Sequence, residues 1–357
     1  MSTFTSPVQL SNTFKPKIWG RRDLAPLFDM PELQDGAGDP LSRQRIGEVW
    51  VTDDTSRLLN GPAAGMTLAE ASEKYGPELH GKSWPGRRFP LLAKYIFTSD
   101  WLSVQVHPDD AYAAAHDHGS LGKCEMWYFL QTDLDGAILL GLKPGVTKDQ
   151  LLPAFKGGAS REILQTFRPE PEEAAFLAPG IVHALGPGVV VFEVEENSDI
   201  TYRLDDFNRL GLDGKPRELH LEKGLDVIRP ELPPRRDLPR FEFKEKYGTR
   251  RFVLASRYFA LEVLNISRTA TFHSSPEKVE VLSIMEGDGR IENEAGWLAY
   301  RPGETWLIPP DANQYRMVPA METKYLKFYV PDLDKDFREP LKEHGIPPEK
   351  IRQIVFE

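Results

Sequence analysis

Short runs of β-branched and aromatic residues, each closed by Gly, Pro, Asn or Asp, recur along most of this 357-residue chain. Runs of that length between turn formers specify strands, and a succession of them specifies a mainly β fold. Phe89–Ile96, Trp101–His107, Glu125–Leu130, Ala137–Leu142, Gly188–Glu195 and Asp199–Leu204 read as strands of a first module. Ala260–Ile266, Val279–Met285, Gly289–Ile291, Thr305–Ile308 and Tyr325–Val330 repeat the theme further on. Between them, Pro230–Arg240 carries Pro233, Pro234 and Pro239 among charged residues, the composition of a linker. Apolar residues at helical spacing mark two exceptions, a small helical insertion near 147–174 and a helix over Thr67–Tyr75. The expected division is a first domain over residues 1–232, a second β domain over 240–331 and a helical tail over 332–357.

Within that frame, Leu102-Ser103-Val104-Gln105-Val106-His107 sets Gln105 and His107 two residues apart on a β-branched run. On a strand such residues share a face. Glu125 opens another strand, and His183 follows the turn Pro179-Gly180. Two imidazoles, a carboxylate and an amide oxygen suit a divalent metal with an open position. The metal's +2 and the carboxylate's −1 sum to about +1, which favours an anionic ligand. Zn²⁺ fits such donors, and Mn²⁺, Fe²⁺, Co²⁺ or Ni²⁺ could occupy a similar site. The plainer reading of each histidine, a hydrogen-bonded strand residue, stands beside this one. Lys94, Lys123 and Arg203 read by default as surface cations, and Glu193 as a carboxylate on a half-exposed strand. His116-Asp117-His118 looks like a helix end or loop, and His80, His220, His273 and His344 lack a partner at ligand spacing.

A net charge of −10 argues against a nucleic-acid binder. The single cysteine, Cys124, excludes an internal disulfide and any zinc site built on several thiolates. The N-terminus shows no signal-peptide pattern and no apolar run is long enough to span a membrane, so the expected setting is cytoplasmic, with no membrane partner.

Taken together, Leu102–Asp110 and Gly122-Lys123-Cys124-Glu125-Met126-Trp127-Tyr128 resemble the type I mannose-6-phosphate isomerases (phosphomannose isomerases) of the cupin superfamily. Lys17-Ile18-Trp19-Gly20, Ile46-Gly47-Glu48-Val49-Trp50, Phe89–Lys94, Pro179-Gly180 with His183, Asp199 with Thr201-Tyr202-Arg203-Leu204 and Gly214–His220 extend the likeness over about Phe14–Ile228. The resemblance implies two cupin-like jelly-roll barrels, the first with the helical insertion and the second without a metal. It implies one Zn²⁺ per chain on Gln105, His107, Glu125 and His183, and a sugar-phosphate pocket lined by Trp19, Glu48, Lys94, Lys123, Glu193 and Arg203. The implied reaction interconverts mannose 6-phosphate and fructose 6-phosphate through an enediolate. Glu193 is the first choice of base, Lys123 the second and a metal-bound hydroxide the third, with Arg203 and Lys94 on the phosphate or the oxyanion. A non-haem iron cupin oxygenase and a non-catalytic sugar-phosphate-binding cupin are the rival readings.

Overall fold

The computed structural model describes residues 3–28 and 44–357. Its strands form four antiparallel sheets. Sheet I runs, in spatial order, Tyr202–Asp205, Val104–Val106, His183–Leu185, Ile138–Leu142 and Leu164–Phe167. Sheet II runs Thr13–Arg21, Ile46–Thr52, Leu91–Phe97, Val189–Glu196, Glu125–Thr132 and Ala174–Leu177. Sheet III has seven strands: Val8–Leu10, Thr305–Ile308, Glu280–Glu286, Thr323–Tyr329, Ala260–Ile266, Gly248–Ala255 and Phe241–Glu245. Sheet IV completes the second module with Ala270–His273, Gln314–Pro319, Gly289–Asn293 and Gly296–Tyr300. Sheets I and II make one β-sandwich and sheets III and IV another, the two-sheet arrangement of jelly rolls.

The sandwiches are joined back to back. Alternate residues of a strand face opposite ways, and Val189–Glu196, all eight residues of it buried, lies near the middle of sheet II. Val190, Phe192 and Val194 pack into one core with Leu261, Val263, Val281, Leu326 and Phe328 of sheet III. The Phe192 and Phe328 rings meet edge to face at 5.4 Å, and Tyr95 Oη and Ser283 Oγ share a hydrogen bond of 2.7 Å across the same seam. Burying an aromatic side chain this way contributes roughly 1.5–3 kcal/mol. Val191 faces the other way, into the core between sheets I and II with Trp127, Leu140 and Leu185. Glu193 and Glu195 share that parity, so the strand delivers two carboxylates to the inside of the first sandwich.

The outer face of sheet I is covered by helices. Val104, Val106, Leu139, Ala184 and Leu204 pack under Leu151 and Phe155 of the helix Lys148–Lys156 and Val227 of the helix Leu221–Val227. A capping box starts the first of these, with Gln150 Oε1 accepting from the Thr147 amide at 2.8 Å. The helical insertion is shorter than the sequence reading over 147–174. After the short helix Ser160–Ile163 the chain forms a strand, Leu164–Phe167, which pairs with Ile138–Leu142. The Trp101–His107 run also narrows, to a strand over Val104–Val106. Segments near both ends of the described chain lie on the second module. Val8–Leu10 pairs with Thr305–Ile308, and the Phe356 amide donates to the Ala255 carbonyl at 2.8 Å. Among the described residues, no helix is long and apolar enough to cross a membrane.

Candidate metal centre and sugar-phosphate pocket

Strand register assembles the site. His183 and Arg203 each stand opposite Gln105, from the strands on either side of it in sheet I. Glu125 opens its strand on sheet II, opposite Glu195. Two turns bring these parts together. The Gly180 amide donates to the His107 carbonyl at 2.9 Å, and Gly180 sits at φ +94°, a conformation that L side chains rarely adopt. The Lys123 amide donates to the Pro108 carbonyl at 3.0 Å. Just before it, a Cβ on Gly122 would meet the Asp109 carbonyl carbon and the Asp110 nitrogen at 2.5 Å, so only glycine lets the two segments touch.

The histidine tautomers follow from their neighbours. His107 Nδ1 lies 2.8 Å from the Ile200 carbonyl oxygen, and His183 Nδ1 lies 2.9 Å from that of Ile181. A carbonyl only accepts, so both Nδ1 atoms carry the proton and both Nε2 atoms present lone pairs. Those lone pairs face Glu125. His107 Nε2 lies 3.5 Å from Oε2 and His183 Nε2 lies 3.1 Å from Oε1. All three side chains are buried, and His107 Nε2 has no hydrogen-bond partner. Burial, with help from Lys123, pushes the His107 pKa down to about 3, so no proton fills the gap. Three acceptors converging with no proton between them leave a place for a cation, and their ligand atoms all lie within 4.8 Å of one another. The Gln105 amide is at the same spot, 3.3 Å from His183 Nε2, and a half-turn of that amide presents its oxygen. The residues present therefore fit a divalent metal.

Beside this cluster lies a buried set of lysines and acids. Lys123 Nζ is 3.1 Å from Glu125 and 2.9 Å from Glu195. Lys94 Nζ is 3.0 Å from Glu193, 3.1 Å from Glu195 and 3.6 Å from Asp199. Burial would discharge both ammonium groups, but the surrounding carboxylates hold their pKa values above the ordinary lysine value. Burial pushes the Glu195 carboxyl up while Lys123 and Lys94 pull against it. Glu193 is oriented from its other oxygen by Trp127 Nε1, which donates at 2.6 Å. A cavity of about 250 Å³ opens over these groups.

Trp19, Glu48, Lys94, Gln105, Lys123, Glu193 and Arg203, all singled out in the sequence, line that cavity. Lys17, Asp199 and Arg217 line it too and were not singled out. Lys17 pairs with Glu48 at 3.1 Å, and Arg217 with Asp206. Arg203 donates through Nη1 to the Glu218 carbonyl at 2.9 Å, while its buried Nε has no partner. His116 closes the helix Asp110–His116 and stacks on Tyr112, and His118 sits beyond it at φ +57°. Neither joins a cluster able to hold a metal among the described residues. Glu195 went unread in the sequence, although its spacing of two from Glu193 puts it on the same face.

Comparison with known proteins gives a consistent result. Residues 8–123 match the family model of the type I phosphomannose isomerase catalytic domain. The mannose-6-phosphate isomerase ManA of Bacillus subtilis (strain 168) is 32% identical over 318 residues, covering 88% of this chain and 96% of the relative. A mannose-6-phosphate isomerase of Streptococcus mutans is 30% identical over 307 residues, covering 85% and 92%. The crystal structure of the Bacillus subtilis mannose 6-phosphate isomerase superposes with a TM-score of 0.81 at 28% identity, covering 90% of this chain and 99% of that one.

Proposed function

The chain belongs to the type I mannose-6-phosphate isomerases, a family of aldose–ketose isomerases, and from that premise we propose that the buried cluster and its cavity interconvert mannose 6-phosphate and fructose 6-phosphate. The observation that carries this reading is the convergence of two imidazole lone pairs and the Glu125 carboxylate beside a lysine-lined cavity. Gln105, His107, Glu125 and His183 would hold one Zn²⁺ per chain. When bound, the metal is a Lewis acid that polarises the substrate carbonyl and lowers the cost of an enediolate.

The chain's own residues do the rest. Glu193 takes the proton from one of C1 and C2 and returns it to the other, while the hydroxyl proton passes between O1 and O2. Its oxygens are held by Lys94 and Trp127, and each keeps a further lone pair for that exchange. Lys123 is the alternative base, and its ion pairs, which keep it charged, make it the weaker one. Arg203 takes the phosphate. Its buried Nε still lacks an acceptor, and a guanidinium offers a fixed fork of donors. Trp19 and Glu48 border the sugar, with Glu48 held by Trp50 Nε1 at 2.7 Å.

The test is a coupled assay with mannose 6-phosphate, run before and after chelation and alongside metal analysis. Isomerisation that stops on chelation and returns with zinc supports the reading. Full turnover by metal-free protein, or no turnover by zinc-loaded protein, overturns it.

A further inference from the structure

Glu195 is the buried acid that this mechanism leaves without a part. Its side chain is 0% exposed, and it does not border the cavity that Lys94, Lys123 and Glu193 line. Each lysine also has another acid partner. Lys94 already has Glu193 at 3.0 Å, and Lys123 already has Glu125 at 3.1 Å. Glu195 makes a third buried carboxyl for two ammonium groups, and an extra buried acid is costly unless it does something.

Its geometry shows what that is. One oxygen lies 3.1 Å from Lys94 Nζ and the other 2.9 Å from Lys123 Nζ, two ion pairs on one carboxyl. The lysines come from different places, Lys94 from the adjacent strand of sheet II and Lys123 from the loop ahead of Glu125. Each has a long flexible stem. Among the described residues, no other carboxyl forms an ion pair with both.

We propose that Glu195 is a positioning residue for the isomerisation, a single carboxyl that ties the Lys94 and Lys123 ammonium groups together so that both meet one substrate. The inference rests on the isomerase reading above. It assigns Glu195 no contact with the sugar phosphate and no proton transfer.

Glu195→Gln tests it, because an amide has one accepting oxygen and can keep only one of the two lysines. The expected result is a fall in kcat of about 10²-fold, the loss that a misplacement near 1 Å can cause. KM should move by less than about threefold, metal content should stay at wild type, and Glu195→Asp should restore part of kcat. A crystal structure of Glu195→Gln should show one ammonium group displaced while the Lys94–Glu193 pair survives. Wild-type kcat in a folded Glu195→Gln protein overturns the proposal. So does a loss of thermal stability with kcat unchanged, which makes Glu195 structural only. Absence of isomerisation by the wild-type enzyme would instead remove the functional reading, and lysine positions in the variant structure would still decide the geometry.

Discussion

The interiors of the two sandwiches carry similar ingredients and treat them differently. In the first, Lys94, Lys123, Glu125, Glu193 and Glu195 are buried, the His107 Nε2 lone pair has no partner, and a cavity opens beside them. In the second, Glu262 is equally buried on the inward side of sheet III. There it accepts from Arg250, from Lys327 at 3.2 Å and from Tyr329 Oη at 2.6 Å. Lys327 also reaches Glu280 at 3.3 Å, and Tyr315 Oη donates to Glu280 at 3.3 Å. Tyr300, Tyr315, Tyr325 and Trp306 fill the space around them. Burial alone would raise the Glu262 pKa, but Lys327 and Arg250 hold it at about 2. One interior leaves acceptors unmatched by protein donors, in a group that fits a cation. The other has closed its own circuit with protein groups. Buried charge alone therefore does not mark a catalytic centre; unmatched acceptors next to open volume do.

Mutations can break this contrast. The largest effect belongs to His107→Ala, which removes a lone pair from the unfinished cluster. Stoichiometric metal should be lost and isomerisation should fall on the order of 10³-fold or more, read by metal analysis and the coupled assay. Glu193→Gln comes next. It should keep its metal and lose about 10²–10⁴ in kcat, the usual contribution of a general base. Glu262→Ala tests the other side. Leaving Arg250 and Lys327 short of their acid should destabilise the fold by about 3–5 kcal/mol, seen in denaturant melts, with kcat of the folded fraction unchanged. A change in kcat there would end the claim that the second interior is chemically idle.

The same pair sets a pH dependence. The folded Glu262 pKa, at about 2, lies below the ordinary value of 4.5, so its contribution to stability is whole above about pH 4.5 and fades as pH falls toward 2. Glu262→Ala should flatten that part of the acid limb in melts taken across the range. The smallest effect is expected of Tyr315→Phe, which deletes one hydrogen bond to Glu280 and should cost about 0.5–1.5 kcal/mol without touching activity.

Much of this was legible in the sequence because strand parity is local. Gln105 and His107 fall on one face by counting, and their shared face survives although the regular strand ends at Val106. Glu125 and His183 are different. Their spacing along the chain suggested a ligand set, but only the pairing of His183 with Gln105 and the facing of two sheets bring the atoms together. Register between distant strands leaves little trace in a single sequence. For the same reason Asp199 and Arg217, on loops, stood within family-like motifs without being read as cavity residues. Glu195 was missed for another reason. A carboxylate near the end of a strand reads as solvated, and nothing local says that sheet I covers its face while sheet III covers the strand's back. Leu164–Phe167 was taken into the helical insertion because its apolar residues suit either period when a run is that short.

That covered back has a consequence for taking the molecule apart. A cut within Pro230–Arg240 would separate the chain at its most proline-rich point, yet neither piece would be an independent protein. The amino-terminal piece would show Val190, Phe192 and Val194 to water, the carboxy-terminal piece Leu261, Leu326 and Phe328, and the opening strand Val8–Leu10 would lose the edge it pairs with. Two such fragments, made separately, should be insoluble alone and recover isomerase activity when refolded together, because each half is the other's missing wall.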